Sequence, residues 1–279
     1  MPKLFVPALL FLVGLSTAAC DIQAGNGKFD IDFAAGKATD IWSRTYTVPA
    51  GGRFELINVN GRIIAEPTDG KEVIVEGRRT AKSHSDEAAK EQLAKLEIRE
   101  EVGGSTVRIE SRPPRMSGFG GHEIEWTVKV PKGLIVDFRT TNGGVRMNGL
   151  SGEIHAKTTN GGVRGTNLVI DVLEASVVNG GVEIELGAPL DATDTVELIT
   201  VNGGITFSLP SASKATISAR AVNGGVRASE ELKIEKEEAA NERESRRRLN
   251  GTMNGGGARV NVNTTNGGVR LSTVGITTS

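Results

Sequence analysis

Apolar and polar residues alternate along most of this chain, and one recurring phrase punctuates the alternation. Residues 140–146 read TTNGGVR, and the same phrase returns at 158–164 and 264–270. Variants stand at 177–183 (VVNGGVE), 200–206 (TVNGGIT) and 221–227 (AVNGGVR), with a shorter relative, NVNGRI, at 58–63. The places two, four and six before each repeat Asn are apolar or β-branched. They hold Thr140, Phe138 and Val136; Thr158, Ala156 and Ile154; Val177, Ala175 and Leu173; Thr200, Leu198 and Val196; Ala221, Ala219 and Ile217. The place three before is mostly polar. A period of two means strands with one dry face. Past the turn, the apolar places are three and five on: Val145 and Met147, Val182 and Ile184, Ile205 and Phe207, Val226 and Ala228, Val269 and Leu271. The inward phase is therefore reset across Asn-Gly-Gly.

A sharp bend asks for positive φ, which Gly adopts freely and Asn tolerates better than most residues. Asn60, Asn142, Asn160, Asn179, Asn202, Asn223 and Asn266 are accordingly the predicted structural turns. Two architectures place the same side chains inside. Asn-Gly is the two-residue turn of a β-hairpin, pairing Thr140 with Val145, or Asn-Gly-Gly is the corner of a stack. The steps between successive Asn are 18 (142 to 160), 19 (160 to 179), 23 (179 to 202) and 21 (202 to 223). Near-constant periods of this size are typical of stacked coils, and identical amides at a corner can ladder between layers. The favoured fold class is all-β, a β-solenoid or β-helix-like stack with one short helix in its N-terminal part. An antiparallel, hairpin-based β-sandwich is the alternative.

The chain divides into four stretches. Residues 1–19 read as a signal peptide: Lys3, an apolar run from Leu4 to Leu15 too short to span a bilayer stably, then small residues. Cys20 follows, with Ser16-Thr17-Ala18-Ala19 before it. This resembles the lipobox of bacterial lipoproteins, with Thr17 where Leu is usual, and the resemblance implies an acylated Cys20. Residues 20–41 are then a polar, lipid-anchored tether containing the alternating piece Phe29-Asp30-Ile31-Asp32-Phe33. Residues 42–131 form an N-terminal β section. Its helical insertion at 83–96 has Ser83 and Asp86 at capping-box spacing and an apolar face of Ala89, Leu93 and Leu96. Residues 132–279 carry the repeats, interrupted at 230–249 by a charged insertion. Acids there come mostly first, and Glu242 with Arg246 and Glu244 with Arg248 sit at helical spacing.

Charge is nearly balanced, 33 basic against 34 acidic residues, so nothing points to a nucleic-acid partner. Cys20 is the one cysteine, so stability rests on packing without an internal disulfide. His84, His122 and His155 stand at no metal-ligand spacing and read as surface residues. No cofactor, metal site or catalytic residue is expected. Arg146, Arg164, Arg227 and Arg270 recur four past their Asn and define a possible ligand stripe outside the stack, interrupted by Glu183 and Thr206.

The ordered set of Val59-Asn60-Gly61, the helix after Ser83, Val130-Pro131-Lys132-Gly133 and the later Asn-Gly repeats resembles a bacterial envelope family, the adhesin-type domains of unknown function. The resemblance spans about Thr45 to Thr273 and implies a solenoid-like fold at the cell envelope. The expected function is a non-enzymatic, exported lipoprotein, anchored in a membrane by lipid and offering its stack to a protein or glycan. A scaffold or regulatory partner in envelope stress signalling, contacting through 230–248, is the alternative. A polysaccharide-active enzyme comes last, because glycoside hydrolysis needs paired carboxylates that the stripe lacks.

Overall fold

The computed structural model describes residues 36–114 and 120–274. The predicted signal peptide, Cys20, the alternating piece at 29–33 and positions 115–119 lie outside the described residues. Strands β1 (Gly36–Thr47), β2 (Arg53–Asn60), β3 (Ile63–Thr68) and β4 (Glu72–Ser83) precede helix α1 (Asp86–Ala94). Strands β5 (Glu97–Gly103), β6 (Thr106–Arg112) and β7 (Gly121–Pro131) complete the first section. The repeats then supply β8 (Ile135–Asn142), β9 (Val145–Asn148), β10 (Ser151–Asn160), β11 (Val163–Asn179), β12 (Val182–Leu186) and β13 (Thr195–Asn202). They continue with β14 (Ile205–Leu209), β15 (Ala215–Asn223) and β16 (Val226–Ala228). After a tight turn at Glu230–Leu232 come β17 (Glu235–Lys236), α2 (Glu242–Arg247), β18 (Arg248–Met253), β19 (Ala258–Asn266) and β20 (Val269–Thr273).

The fold is all-β apart from these short helices. A curled sheet of 11 strands runs β5-β6-β2-β8-β10-β11-β13-β19-β15-β18-β17. A second sheet runs β1-β4-β7-β3-β9-β11-β12-β14-β20-β16. Strand β11 belongs to both, crossing near Asn167, whose φ is 53°. The repeat strands pair in parallel with their equivalents in neighbouring layers. One register carries Asn60, Asn142, Asn160, Asn179, Asn202, Asn266 and Asn223 in line. The strands flanking each corner lie in different sheets, so the hairpin pairing of Thr140 with Val145, and the hairpin-based sandwich with it, does not form. A hairpin would leave each turn alone. Here every inner corner finds an equivalent corner above and below.

The layers do not stack in chain order. The last repeat, β19–β20, is threaded between β13–β14 and β15–β16, so β15–β16 is the terminal layer. The alternation read from sequence is the alternation seen. Phe138, Ile154, Leu173, Leu198, Phe207, Val260 and Leu271 are all fully or almost fully buried. Phe54 and Phe138 meet edge-on inside, with ring centres 6.4 Å apart.

Local details differ from expectation. Strand β1 starts at Gly36, inside the stretch assigned to the tether, because residues 36–47 pair along the whole of β4. The helix cap is Ser85, whose hydroxyl accepts from the Ala88 N–H at 3.2 Å. Ser83 is instead the buried last residue of β4. The capping-box spacing was two residues out, because strand pairing to Gly36 holds Ser83 extended. Gly61 has a φ of 110°, but none of the seven corner Asn has positive φ.

Candidate functional site

Three residue types recur at the corners, the threonine at four of the seven, and each has its own reason. The Asn side chains form a continuous hydrogen-bonded row. Asn142 donates to Asn60 at 2.8 Å, Asn160 to Asn142 at 2.8 Å, Asn179 to Asn160 at 2.9 Å and Asn202 to Asn179 at 2.8 Å. Asn266 donates to Asn202 at 2.7 Å and Asn223 to Asn266 at 2.8 Å, so the row follows the spatial order of layers and not the chain. An amide has two N–H groups and two lone-pair sites. The ladder uses one of each, leaving one donor and one acceptor per layer free along an exposed ridge.

The first glycine of the corner is required by stacking. A Cβ on Gly161 would stand 2.0 Å from the carbonyl oxygen of Gly143, and one on Gly180 would stand 1.9 Å from that of Gly161. Backbone therefore meets backbone where any side chain would force the layers apart. The second glycine is less confined, a Cβ on Gly162 lying 3.1 Å from the Gly181 oxygen. Arg62 occupies that place in the first layer.

The buried threonines supply the third part. Thr158, Thr200 and Thr264 donate through Oγ1 to the first-glycine carbonyl of the layer before, at 2.8, 2.9 and 2.8 Å. Thr140 does the same to Gly61 at 3.2 Å. Asn58 takes this role at the start, its Nδ2 reaching the carbonyls of Asn60, Gly61 and Ile124. The pattern of β-branched residues predicted the position but not the hydroxyl's use.

His122 ends the amide row. Its Nε2 lies 3.3 Å from Asn60 Nδ2, and its Nδ1 is buried without a partner. Since the Asn60 amide donates, Nε2 accepts and the ring is neutral with its proton on Nδ1. Burial pushes the His122 pKa down, in keeping with that state. His155 stands between Glu174, 2.8 Å from Nδ1, and Glu153, 2.9 Å from Nε2. Burial lowers its pKa, but the two hydrogen bonds and the two negative charges outweigh burial and the net direction is up. Both histidines are more than the surface residues expected; Asn60 and Glu174 are distant in sequence, and Glu153, two residues before His155, gave no signal by itself. Among the described residues, no cluster of His, Cys, Asp or Glu is suited to hold a metal ion.

The predicted arginine stripe is divided into two pairs. Along one register of the second sheet stand Arg146, Arg164, Glu183, Thr206, Arg270 and Arg227. Arg164 is paired with Glu183. Arg270 and Arg227 lie side by side because the last layer is threaded out of order. With Thr206 they wall a groove of 350 Å³ that includes Gly204, Gly268 and Gly225. Around the terminal corner, on the first sheet's side, Arg220, Arg243, Arg247 and Arg248 line another groove, of 390 Å³, with Val222, Asn241 and Glu244. The sequence reading left out Arg220, Arg243 and Arg247, which come together only once α2 folds onto β15.

The model of the Toastrack DUF4097 family, a domain of unknown function, matches residues 136–272. No curated protein matches the sequence. Among solved structures, the chain is similar to a proposed cell adhesion protein from Clostridium sporogenes at 15% identity. That match covers 84% of this chain and 100% of the other, with a TM-score of 0.47. A proposed adhesin from Bacteroides fragilis matches at 12% identity, 84% and 97% coverage, and a TM-score of 0.37. A proposed lipid binding protein from Parabacteroides distasonis matches at 9% identity, 85% and 97% coverage, and a TM-score of 0.31. Neither the family description nor these names indicates catalysis.

Proposed function

We propose that this protein is a non-enzymatic contact module of the cell envelope. Its stacked corners form a β-solenoid that displays one rigid edge to a protein or glycan. The observation that carries this reading is the unbroken row of corner amides, from Asn60 to Asn223, each with a free donor and acceptor. Layers repeat about every 4.8 Å, so the edge offers regularly spaced polar groups to an extended ligand. Val178, Val201 and Val222, each one residue before a corner Asn, are 37%, 39% and 41% exposed and add apolar contact beside the ridge. The export signal and Cys20, read from sequence, put the module outside the cytoplasm on a lipid anchor.

The alternative role of 230–248 as a docking arm is less well supported. Leu232 and Leu249 are buried, Ile234 packs against the core, and the Arg246 carbonyl comes within 3.4 Å of where a Gly225 Cβ would be. Gly204 and Gly268 have the same 3.4 Å relation to the carbonyl of the next corner. The insertion thus takes the place of a further layer and works as a cover.

The test is photo-crosslinking of the full chain in its native envelope. A crosslinker at Val201 on the edge is expected to capture one defined envelope component. One at Val102 on β5 is not. Equal capture at both positions, or none at Val201, defeats the proposal. Mass spectrometry of the mature N-terminus checks the anchor: a diacylated Cys20 is expected, and an unmodified thiol or cleavage elsewhere removes it.

A further inference from the structure

The arginines of this molecule fall into two populations. Over the rest of the stack most are neutralised, with Arg78, Arg146 and Arg259 the scattered exceptions among the described residues: Arg62 lies 2.8 Å from Glu125, Arg108 lies 3.1 Å from Glu55, and Arg79, Arg139 and Arg164 each pair with a carboxylate. At the terminal layer they are not. Arg220, Arg227, Arg243, Arg247 and Arg270 form no ion pair among the described residues, although Arg246 and Arg248 beside them do. Five unneutralised guanidiniums are gathered at one end of a chain whose formal net charge is -1.

Their placement is specific. Arg227 and Arg270 wall one groove and Arg220, Arg243 and Arg247 the other, and between them runs the last corner, Asn223-Gly224-Gly225. We propose that this end binds an acidic glycan chain. Its carboxylate or sulfate groups pair with the arginines of both grooves, and its hydroxyls meet the free amide valences of Asn223 and Asn266. The inference rests on the contact reading above and narrows it to one ligand class and one end of the stack.

Two features favour a glycan over a lipid surface. The arginines line concave grooves of 390 and 350 Å³, which admit a single chain but not a flat bilayer. Glycines 204, 225 and 268 in one groove have no side chains to keep a polymer from the backbone. Guanidinium binds carboxylate and sulfate oxygens in a two-pronged geometry, which suits these arginines to either group. Of the acidic residues of the insertion, Glu237 and Glu238 line a neighbouring groove with Ala239 and Asn250, and Glu244, which borders both that groove and the one lined by Arg243 and Arg247, is paired with Arg248.

The test is binding of the mature chain to immobilised polygalacturonate, dextran sulfate and neutral dextran, and to anionic lipid vesicles, across a salt series. Binding to one or both acidic polymers and not to neutral dextran is expected, polygalacturonate distinguishing carboxylate and dextran sulfate distinguishing sulfate recognition. Arg227→Gln with Arg270→Gln, and separately Arg243→Gln with Arg247→Gln, should each weaken it at least tenfold and flatten its salt dependence. Arg146→Gln, an exposed arginine outside both grooves, should change it less than twofold, with thermal melts showing all variants folded. An equal loss in Arg146→Gln means diffuse charge attraction and overturns the site, as does arginine-dependent binding to vesicles alone. If wild type binds neither polymer while Val201 still crosslinks, the glycan site fails and the contact reading stands. If crosslinking fails too, both fall.

Discussion

The two ends of the stack are closed in opposite ways. At the N-terminal end the cover is apolar. Trp126 is fully buried, Trp42 meets it edge-on at 5.5 Å, and Arg44 lies over the Trp42 ring at 5.1 Å. The Tyr46 hydroxyl donates to Glu100 at 2.5 Å across from β1 to β5, and Ala89 and Leu93 of α1 are buried. At the C-terminal end the cover is thin and charged. Its buried apolar residues are chiefly Leu232, Leu249 and Met253, and α2 buries none. Every open-ended stack exposes strand edges that invite pairing with another chain, and terminal caps are the usual remedy. One end uses burial, which yields stability. The other relies on charge, which discourages association at little stability and leaves arginines free.

The comparison can be broken by substitution. Trp126→Ala should cost the most, about 3–5 kcal/mol, because the N-terminal cover and the first layers share this side chain; urea unfolding midpoints measure it. Gly161→Ala should destabilise far more than Gly162→Ala, since one methyl meets a carbonyl at 2.0 Å and the other at 3.1 Å. The same melts compare them; because Gly161 also has a φ of 146°, Gly203→Ala, whose methyl would meet a carbonyl at 1.9 Å without a left-handed φ, separates the two causes, and a small loss there would show that bending, not stacking, selects the glycines. Replacing 233–247 by a short linker should lower the midpoint less than Trp126→Ala does, but should shift the protein from monomer to oligomer in light scattering. A monomeric deletion would mean that the charged cover does not guard the edge.

Thr158→Val should cost about 1 kcal/mol, a buried carbonyl losing its donor while a methyl is gained. The native Val177 at the equivalent place shows that the loss is bearable. The smallest effects are in pH dependence. The raised His155 pKa means its contribution is full below the unfolded value of about 6.5 and is lost as pH rises through the folded value. For His122, depressed in the fold, stability falls as pH drops below about 6.5 toward the folded value. Unfolding midpoints across that range should therefore gain a steeper acid loss in His155→Gln and a shallower one in His122→Gln.

Much of the local structure was legible because it is local. Alternation placed Phe138, Leu198 and Ile205 inside correctly. Where the reading failed, a distant partner decided. Ser83 lost the helix cap to Ser85 because Gly36 pairs with it. Residues 36–41 became strand because β4 offered an edge. The corner Asn was credited with tolerating positive φ, whereas its φ is ordinary and its amide is what the layers use. The first glycine does take the positive φ read for it, at Gly61, Gly143, Gly161, Gly180 and Gly267; what the sequence did not show is that the absence of Cβ also lets the next layer close.

On its own, the sequence determined which side chains face inward, where the corners fall and that equivalent corners are chemically alike, because period and turn chemistry are properties of short segments. Only the tertiary structure decided which layer lies on which. Asn266 sits between Asn202 and Asn223, and Arg270 beside Arg227, because identical corners are interchangeable partners. The register of one repeat against another is chosen by the whole stack and its end covers, which no single repeat encodes.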